Sequence, residues 1–103
     1  MTIYTKLIKL SGDKKKYKME FYKKEDGKFK KFKSTKFGAA GMSDYTKHKN
    51  KERKKRYIER HQANEQWDDP YSAGALSRYI LWNKPTIEAS YISYKNKFKF
   101  KKL

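Results

Sequence analysis

"KYKMEFYKKEDGKFKKF", residues 16–32, decides the fold of this chain. Two runs that alternate aromatic and charged residues flank Asp26-Gly27, a dipeptide suited to the positive φ values of a two-residue hairpin turn. Counting outward from that turn pairs Glu25 with Lys28, Phe21 with Phe32 and Glu20 with Lys33. One face then receives an aromatic pair and the other an opposite-charge pair, as cross-strand energetics favour. Upstream, "TIYTKLIKL" leads into Ser11-Gly12-Asp13, and a tight Gly12-Asp13 turn pairs Ile8 with Tyr17 and Tyr4 with Phe21. Both turns together gather Tyr4, Ile8, Tyr17, Met19, Phe21 and Phe32 on one apolar face. The expectation is a three-stranded antiparallel meander over residues 1–36.

Downstream the period changes. A connecting loop over residues 37–49 holds Gly38-Ala39-Ala40-Gly41 and Ser43-Asp44. Asn50 is positioned to cap a helix beginning at Lys51, with Glu52 in the first turn, where the helix dipole favours an acid. Only Tyr57 and Ile58 are plainly apolar in "KERKKRYIERHQ", so that helix buries a narrow strip. A second helix follows Asp69-Pro70, capped by Ser72, with Leu76, Tyr79 and Ile80 inward. Pro85 interrupts, and Thr86 caps a third helix in which Ile87, Tyr91, Tyr94 and Phe98 recur at i, i+4, i+7 and i+11. The fold class is α+β: a meander followed by about three short helices over residues 50–98, then a basic tail over 99–103. The alternation of lysine with Phe98 and Phe100 suits either a helix end or a short edge strand.

With 103 residues the chain forms one small domain, and 17 aromatic residues supply large buried areas despite a hydrophobic fraction of only 36%. The net charge is +17. Self-repulsion of that size is relieved by a polyanionic partner. The charge is uneven: +9 over residues 1–40, +5 over 41–62, −2 over 63–94 and +5 over 95–103. The nearly neutral segment is the expected buried part. No cysteine is present, which excludes disulfides, thiolate catalysis and cysteine-based zinc sites, and two histidines are too few for a multi-histidine metal site. No apolar run has the length of a membrane span or a signal-peptide core, so the chain reads as an intracellular protein that is not secreted.

Catalytic patterns are missing. Ser43-Asp44 lies near His48 without the Gly-x-Ser-x-Gly elbow that exposes a nucleophile, and Glu65, Asp68 and Asp69 precede Pro70 as a solvated turn does. Gly38 and Gly41 frame no nucleotide loop, because no Gly-Lys-Ser/Thr follows them. Their Gly-x-x-Gly spacing occurs in the clamps of RNA-binding KH domains, but those join two helices, whereas this one follows a strand. Gly38, Gly41, Ser43 and Asp44 are read as a structural elbow, with Ser43 or Asp44 bonding backbone groups in the turn. The chain is expected to be non-enzymatic, with no catalytic or metal-binding residues and no cofactor.

Polyanion binding is better supported. Arg53, Arg56 and Arg60 follow i, i+3, i+7 and share a helix flank; Lys47 and Lys49 precede them, and the tail adds Lys97, Lys99 and Lys101. Such a stripe can track phosphates, and lysines interleaved with Tyr and Phe in the strands suit base stacking. No helix-turn-helix, zinc-finger or RNP-type motif is present, so the expected mode is non-specific and phosphate-dominated; nucleic acid, duplex DNA above all, is the first candidate, then an acidic protein surface, then anionic lipid.

The stretches "FGAAGMSDYTKHKNKERKKRYIERH" and "WDDPYSAGALSRYILWNKPT", followed by a Tyr/Lys-rich end, resemble small basic proteins of unassigned function encoded by nucleocytoplasmic large (giant) DNA viruses. The resemblance spans residues 37–98 and, more loosely, the preceding hairpin. It implies a viral origin, in the virion or the infected cell, and carries over no functional residues. In that setting the expected function is non-specific binding or condensation of DNA. A minor capsid (cement) protein with basic ends set against acidic capsid surfaces is the alternative, and an RNA- or ribosome-directed host factor is a third.

Overall fold

The computed structural model describes residues 2–103. Strands β1 (Ile3–Lys9), β2 (Lys15–Glu25) and β3 (Lys28–Ala39) form the antiparallel meander. Four short helices follow: α1 (Tyr45–His48), α2 (Lys51–His61), α3 (Ala73–Leu76), which continues as a π-helical turn over Ser77–Leu81, and α4 (Ile87–Phe98). The chain ends in β4 (Lys101–Lys102), which adds parallel to β1 and makes the sheet order β3-β2-β1-β4. The α+β architecture expected from the sequence is the one observed. The tail is both things its pattern allowed. Helix α4 stops at Lys99, whose φ is 58°, and two residues later the backbone pairs with β1.

The Asp26-Gly27 turn forms with φ of 50° and 76°, and Glu25 faces Lys28. Two register expectations are corrected. Residues 10–14 form a longer connection than a Gly12-Asp13 turn, closed by Leu10 N–H donating to Lys16 O. Thr5 therefore faces Phe21, and Ile8 faces Lys18. That one-residue slip turns every β1 side chain to the opposite face. Ile3, Thr5 and Leu7 go inward, while Tyr4 and Ile8 face out. The expected register would have set Lys6 against Met19 in the core; the observed one leaves Lys6 exposed.

The second correction is a β-bulge beside Phe21, where Phe21 faces Lys33 while Tyr22 faces Lys31, leaving Phe32 as the extra residue. The bulge shifts the rest of β3 by one position. Thr35 and Phe37 thereby oppose Met19 and Tyr17 on the core side, where an unbroken ladder would have directed Ser34 and Lys36 inward. The Phe32 ring remains near Phe21, at 6.4 Å between centroids.

All the core lies on one face of the sheet. Met19, Phe21 and Phe37 pack against Leu76, Ile80, Leu81 and Tyr94. The α4 stripe of Ile87, Tyr91, Tyr94 and Phe98 joins them as expected, as do Leu76, Tyr79 and Ile80. Caps end the helices where the sequence indicates: Asn50, Ser72 and Thr86 each accept backbone N–H bonds through their side chains. Two polar groups between the layers are paired: Thr5 Oγ1 lies 2.7 Å from Tyr91 Oη, and Tyr94 Oη donates to Pro70 O at 2.7 Å.

The expected connecting stretch is partly regular. Strand β3 continues past residue 36 through Ala39, so Phe37 and Gly38 belong to the sheet, and α1 occupies Tyr45–His48. Gly38 has φ of 78°, and a Cβ there would lie 2.7 Å from Leu81 Cδ1. It is a close-packing position inside β3 rather than an elbow between elements. The turn itself falls at Gly41. Asp44 ties it down, capping α1 through Thr46 N–H and accepting from Lys16 Nζ at 2.6 Å, while Ser43 is exposed beside it.

Candidate nucleic-acid interface

Helix α2 is held to the body by a few groups. Tyr57 is its buried residue, stacked on the Trp82 ring at 4.4 Å with 2° between planes, and on His61 at 4.4 Å. Burial pushes the Tyr57 hydroxyl pKa well above its ordinary value. Lys54 extends beneath the helix, donating to Asn83 O at 2.7 Å with its ammonium 4.9 Å from the Tyr45 ring centre. Burial, with Arg78, Lys84 and Lys51 nearby, lowers the pKa of that ammonium. Lys54 is thus a structural cation.

The remaining cations of α2 face outward. Arg53, Arg56 and Arg60 are all exposed, and among the described residues none has a carboxylate within salt-bridge distance. Among the described residues, only Lys16, Lys18, Lys30, Lys31 and Lys36 of the lysines and arginines have such a partner. Lys47, in α1, and Lys49, the left-handed residue that ends α1, lie just upstream, also exposed. The chain therefore presents Lys47, Lys49, Arg53, Arg56 and Arg60 along two consecutive helices.

The tail cations belong elsewhere. Lys97 sits at the end of α4 with its ammonium 5.2 Å from the Tyr79 ring centre. Lys99 terminates that helix, and Lys101 pairs with Tyr4 at the sheet edge. Lys97 is thus set against the helical layer and Lys101 against the edge of β1.

Arg60 also borders a cleft of about 380 Å³ between the end of β3 and α3, together with Lys15, Lys16, His61 and Glu65. Lysine 15 was not distinguishable in the sequence from the other strand lysines; what singles it out is the fold, which folds β2 back beside Arg60. His61, Glu65, Lys16 and Asp44 of the cleft are engaged in internal bonds. His61 Nδ1 lies 2.9 Å from Glu65 Oε1, and Glu65 rests so close to Gly74 that a Cβ there would clash with its carboxylate. Lys16 is paired with Asp44. Among the described residues, no group of three His, Asp or Glu side chains converges as a metal site requires. Among the described residues, no helix is long and apolar enough to cross a membrane.

His48 lies under this surface. Its Nδ1 accepts the Asn50 N–H at 2.9 Å, and Nε2 is buried with no acceptor among the described residues. Burial first, and the Arg53 guanidinium second, hold its pKa below the ordinary value, opposed by Asp44.

The model of a family of unknown function (DUF5754) matches residues 5–61, and the chain belongs to that family. The match takes in β1 from Thr5 onward, β2, β3, α1 and α2, which carry most of the basic residues described above. No curated protein and no solved structure matches the chain.

Proposed function

We propose that the protein is a non-enzymatic nucleic-acid-binding protein that grips phosphates through the exposed cations of α1 and α2, with duplex DNA bound without sequence preference. The observation that carries this reading is the flank of Arg53, Arg56 and Arg60, exposed and without a carboxylate partner among the described residues. A protein that used these arginines for its own stability would set acids opposite them. Here the internal bonds of α2 are made by Tyr57, His61 and Lys54 instead. Guanidinium groups left free suit phosphate oxygens, which they meet in a two-pronged geometry. Exposed side chains on a short helix with no base-reading motif favour contacts that position rather than specify. In the viral setting that the sequence resembles, the polymer would be the packaged genome.

The test is the triple variant Arg53→Ala, Arg56→Ala and Arg60→Ala, assayed against a random-sequence duplex by fluorescence anisotropy. Circular dichroism reports whether the fold is retained. A large loss of affinity with an unchanged spectrum is expected. Undiminished affinity would sink the assignment of the site to α2.

A further inference from the structure

The sheet has a second face, and no core residue lies on it. The alternation that turns Thr5, Leu7, Met19 and Phe21 inward turns Tyr4 and Tyr22 outward, and in β3 the residue before the bulge that shares their side is Phe29. None of these three rings belongs to the core or packs against it. Tyr4 and Phe29 meet edge to face, with centroids 4.9 Å apart and planes at 72°, and Phe29 is 47% exposed. The Tyr22 ring is fixed by its hydroxyl, which donates to Glu20 Oε1 at 2.7 Å.

Lysines surround the rings. Lys6, Lys24 and Lys31 are exposed on the same face, and the Lys24 ammonium lies 5.7 Å from the Phe29 ring centre. Glu20, the carboxylate of β2 on this side, is buried beneath Lys18 and Lys31, at 3.3 and 3.2 Å. Its bonds to Tyr22 and those lysines hold its pKa below the ordinary carboxylate value despite burial. The face as a whole is therefore positive, with apolar ring surface at its centre. Duplex DNA keeps the faces of its bases stacked inside; only an unpaired strand offers both phosphates and free base faces.

We propose that this open face is a stacking platform for single-stranded nucleic acid, with bases on Phe29 and Tyr4 and phosphates on Lys6, Lys24 and Lys31. The inference rests on the nucleic-acid reading above, but it assigns a different surface and a different strand state from the α2 flank.

The full chain is titrated by anisotropy with three labelled ligands: an oligothymidylate of about 12 nucleotides, within the usual range of single-strand sites, an abasic sugar-phosphate oligomer of equal length, and a random-sequence duplex. The oligothymidylate should bind at least about tenfold tighter than the abasic oligomer, as stacking on one or two rings provides. The double variant Tyr4→Leu and Phe29→Leu keeps apolar bulk but removes both rings. It should abolish that preference while leaving the abasic and duplex affinities unchanged. The single variant Phe29→Leu, at an exposed position, should reduce the preference on its own and keeps the test decisive if the double variant fails to fold. The α2 triple variant should lower duplex affinity and leave the preference intact. Equal affinity for the base-bearing and abasic oligomers, or a preference that survives loss of the rings, overturns the platform alone. Absence of binding to all three ligands overturns both this inference and the proposed function.

Discussion

Replacing Gly38 by Ala tests how β3 is joined to the helical half. Gly38 has φ of 78°, and an added Cβ would lie 2.7 Å from Leu81 Cδ1. Two costs are expected. Left-handed backbone disfavours a residue with Cβ by roughly 1–2 kcal/mol. Overpacking a tight contact costs about 1–3 kcal/mol more, because Leu81 is buried among Leu76, Ile80 and Phe37 and its methyl has little room to move. Reduced freedom of the unfolded chain offsets about 0.4–1 kcal/mol. The net loss is about 1–4.6 kcal/mol, a large share of the roughly 5–15 kcal/mol that holds a domain together. At about 4–8 °C per kcal/mol for a domain of this size, Tm falls by roughly 4–37 °C. Thermal and urea unfolding followed by circular dichroism give the measurement. Gly41→Ala is the control, since Gly41 has φ of 85° but nothing within 4 Å of the added Cβ. It should show only the backbone part. If Gly38→Ala is as mild as Gly41→Ala, the close contact between β3 and Leu81 is wrong.

Three further outcomes are expected. In duplex binding, replacing Arg53, Arg56 and Arg60 by Ala should make the slope of log affinity against log salt shallower by about 2.7, from about 0.9 per phosphate contact; an unchanged slope would remove these residues from the interface. His48 is held neutral, with its pKa below the ordinary value of 6.5. The unfolded chain then binds the proton more readily, so stability is full above about pH 6.5 and falls as pH drops below it; in His48→Asn, urea unfolding across pH 5–7 should show a flatter dependence, and an equal slope in both proteins would contradict the reading. Deleting Phe32 removes the extra residue and leaves Thr35 and Phe37 opposite Met19 and Tyr17 in a regular ladder; near-UV circular dichroism should retain the signature of fixed packing, whereas its loss would show that Phe32 is not the residue that the ladder leaves over.

The helical half was legible because its signals are local. Asn50, Ser72 and Thr86 cap their own helices, and the Ile87–Phe98 stripe states its inward face by spacing alone. The first hairpin was legible for the same reason, since Asp26-Gly27 fixes its own turn. Register farther from that turn was not. Gly12-Asp13 suggests a tight turn, but the chain closes through Leu10 and Lys16, and one extra residue inverts β1. The bulge at Phe32 has no local signature in a strand of alternating Lys and Phe; its cause is the need to direct Phe37 rather than Lys36 at the core. A consequence reached the candidate surfaces, because Tyr4 had been expected in the core and instead faces out beside Phe29.

The basic residues divide in the same way. The α2 flank follows from helical spacing, and Arg53, Arg56 and Arg60 lie where that spacing puts them, exposed. Lys54, in the middle of the same run, looks equivalent in sequence and is instead committed to Asn83. Many lysines of β3 have an additional role: β3 is an edge strand, and exposed lysines such as Lys28, Lys30 and Lys33 discourage pairing with another chain. Lys97, Lys99 and Lys101 carry the charge of the tail, but their backbone is fixed by α4 and β1.

The most direct test of the central claim is the salt dependence of wild-type binding to random-sequence duplex DNA between 50 and 200 mM monovalent salt. If Lys47, Lys49, Arg53, Arg56 and Arg60 each neutralise one phosphate, log affinity should fall linearly with log salt at a slope of about −4.5, an affinity loss of roughly 500-fold over that range. A slope near zero, or no binding at the low-salt end, would contradict the claim that these cations form a phosphate-binding surface.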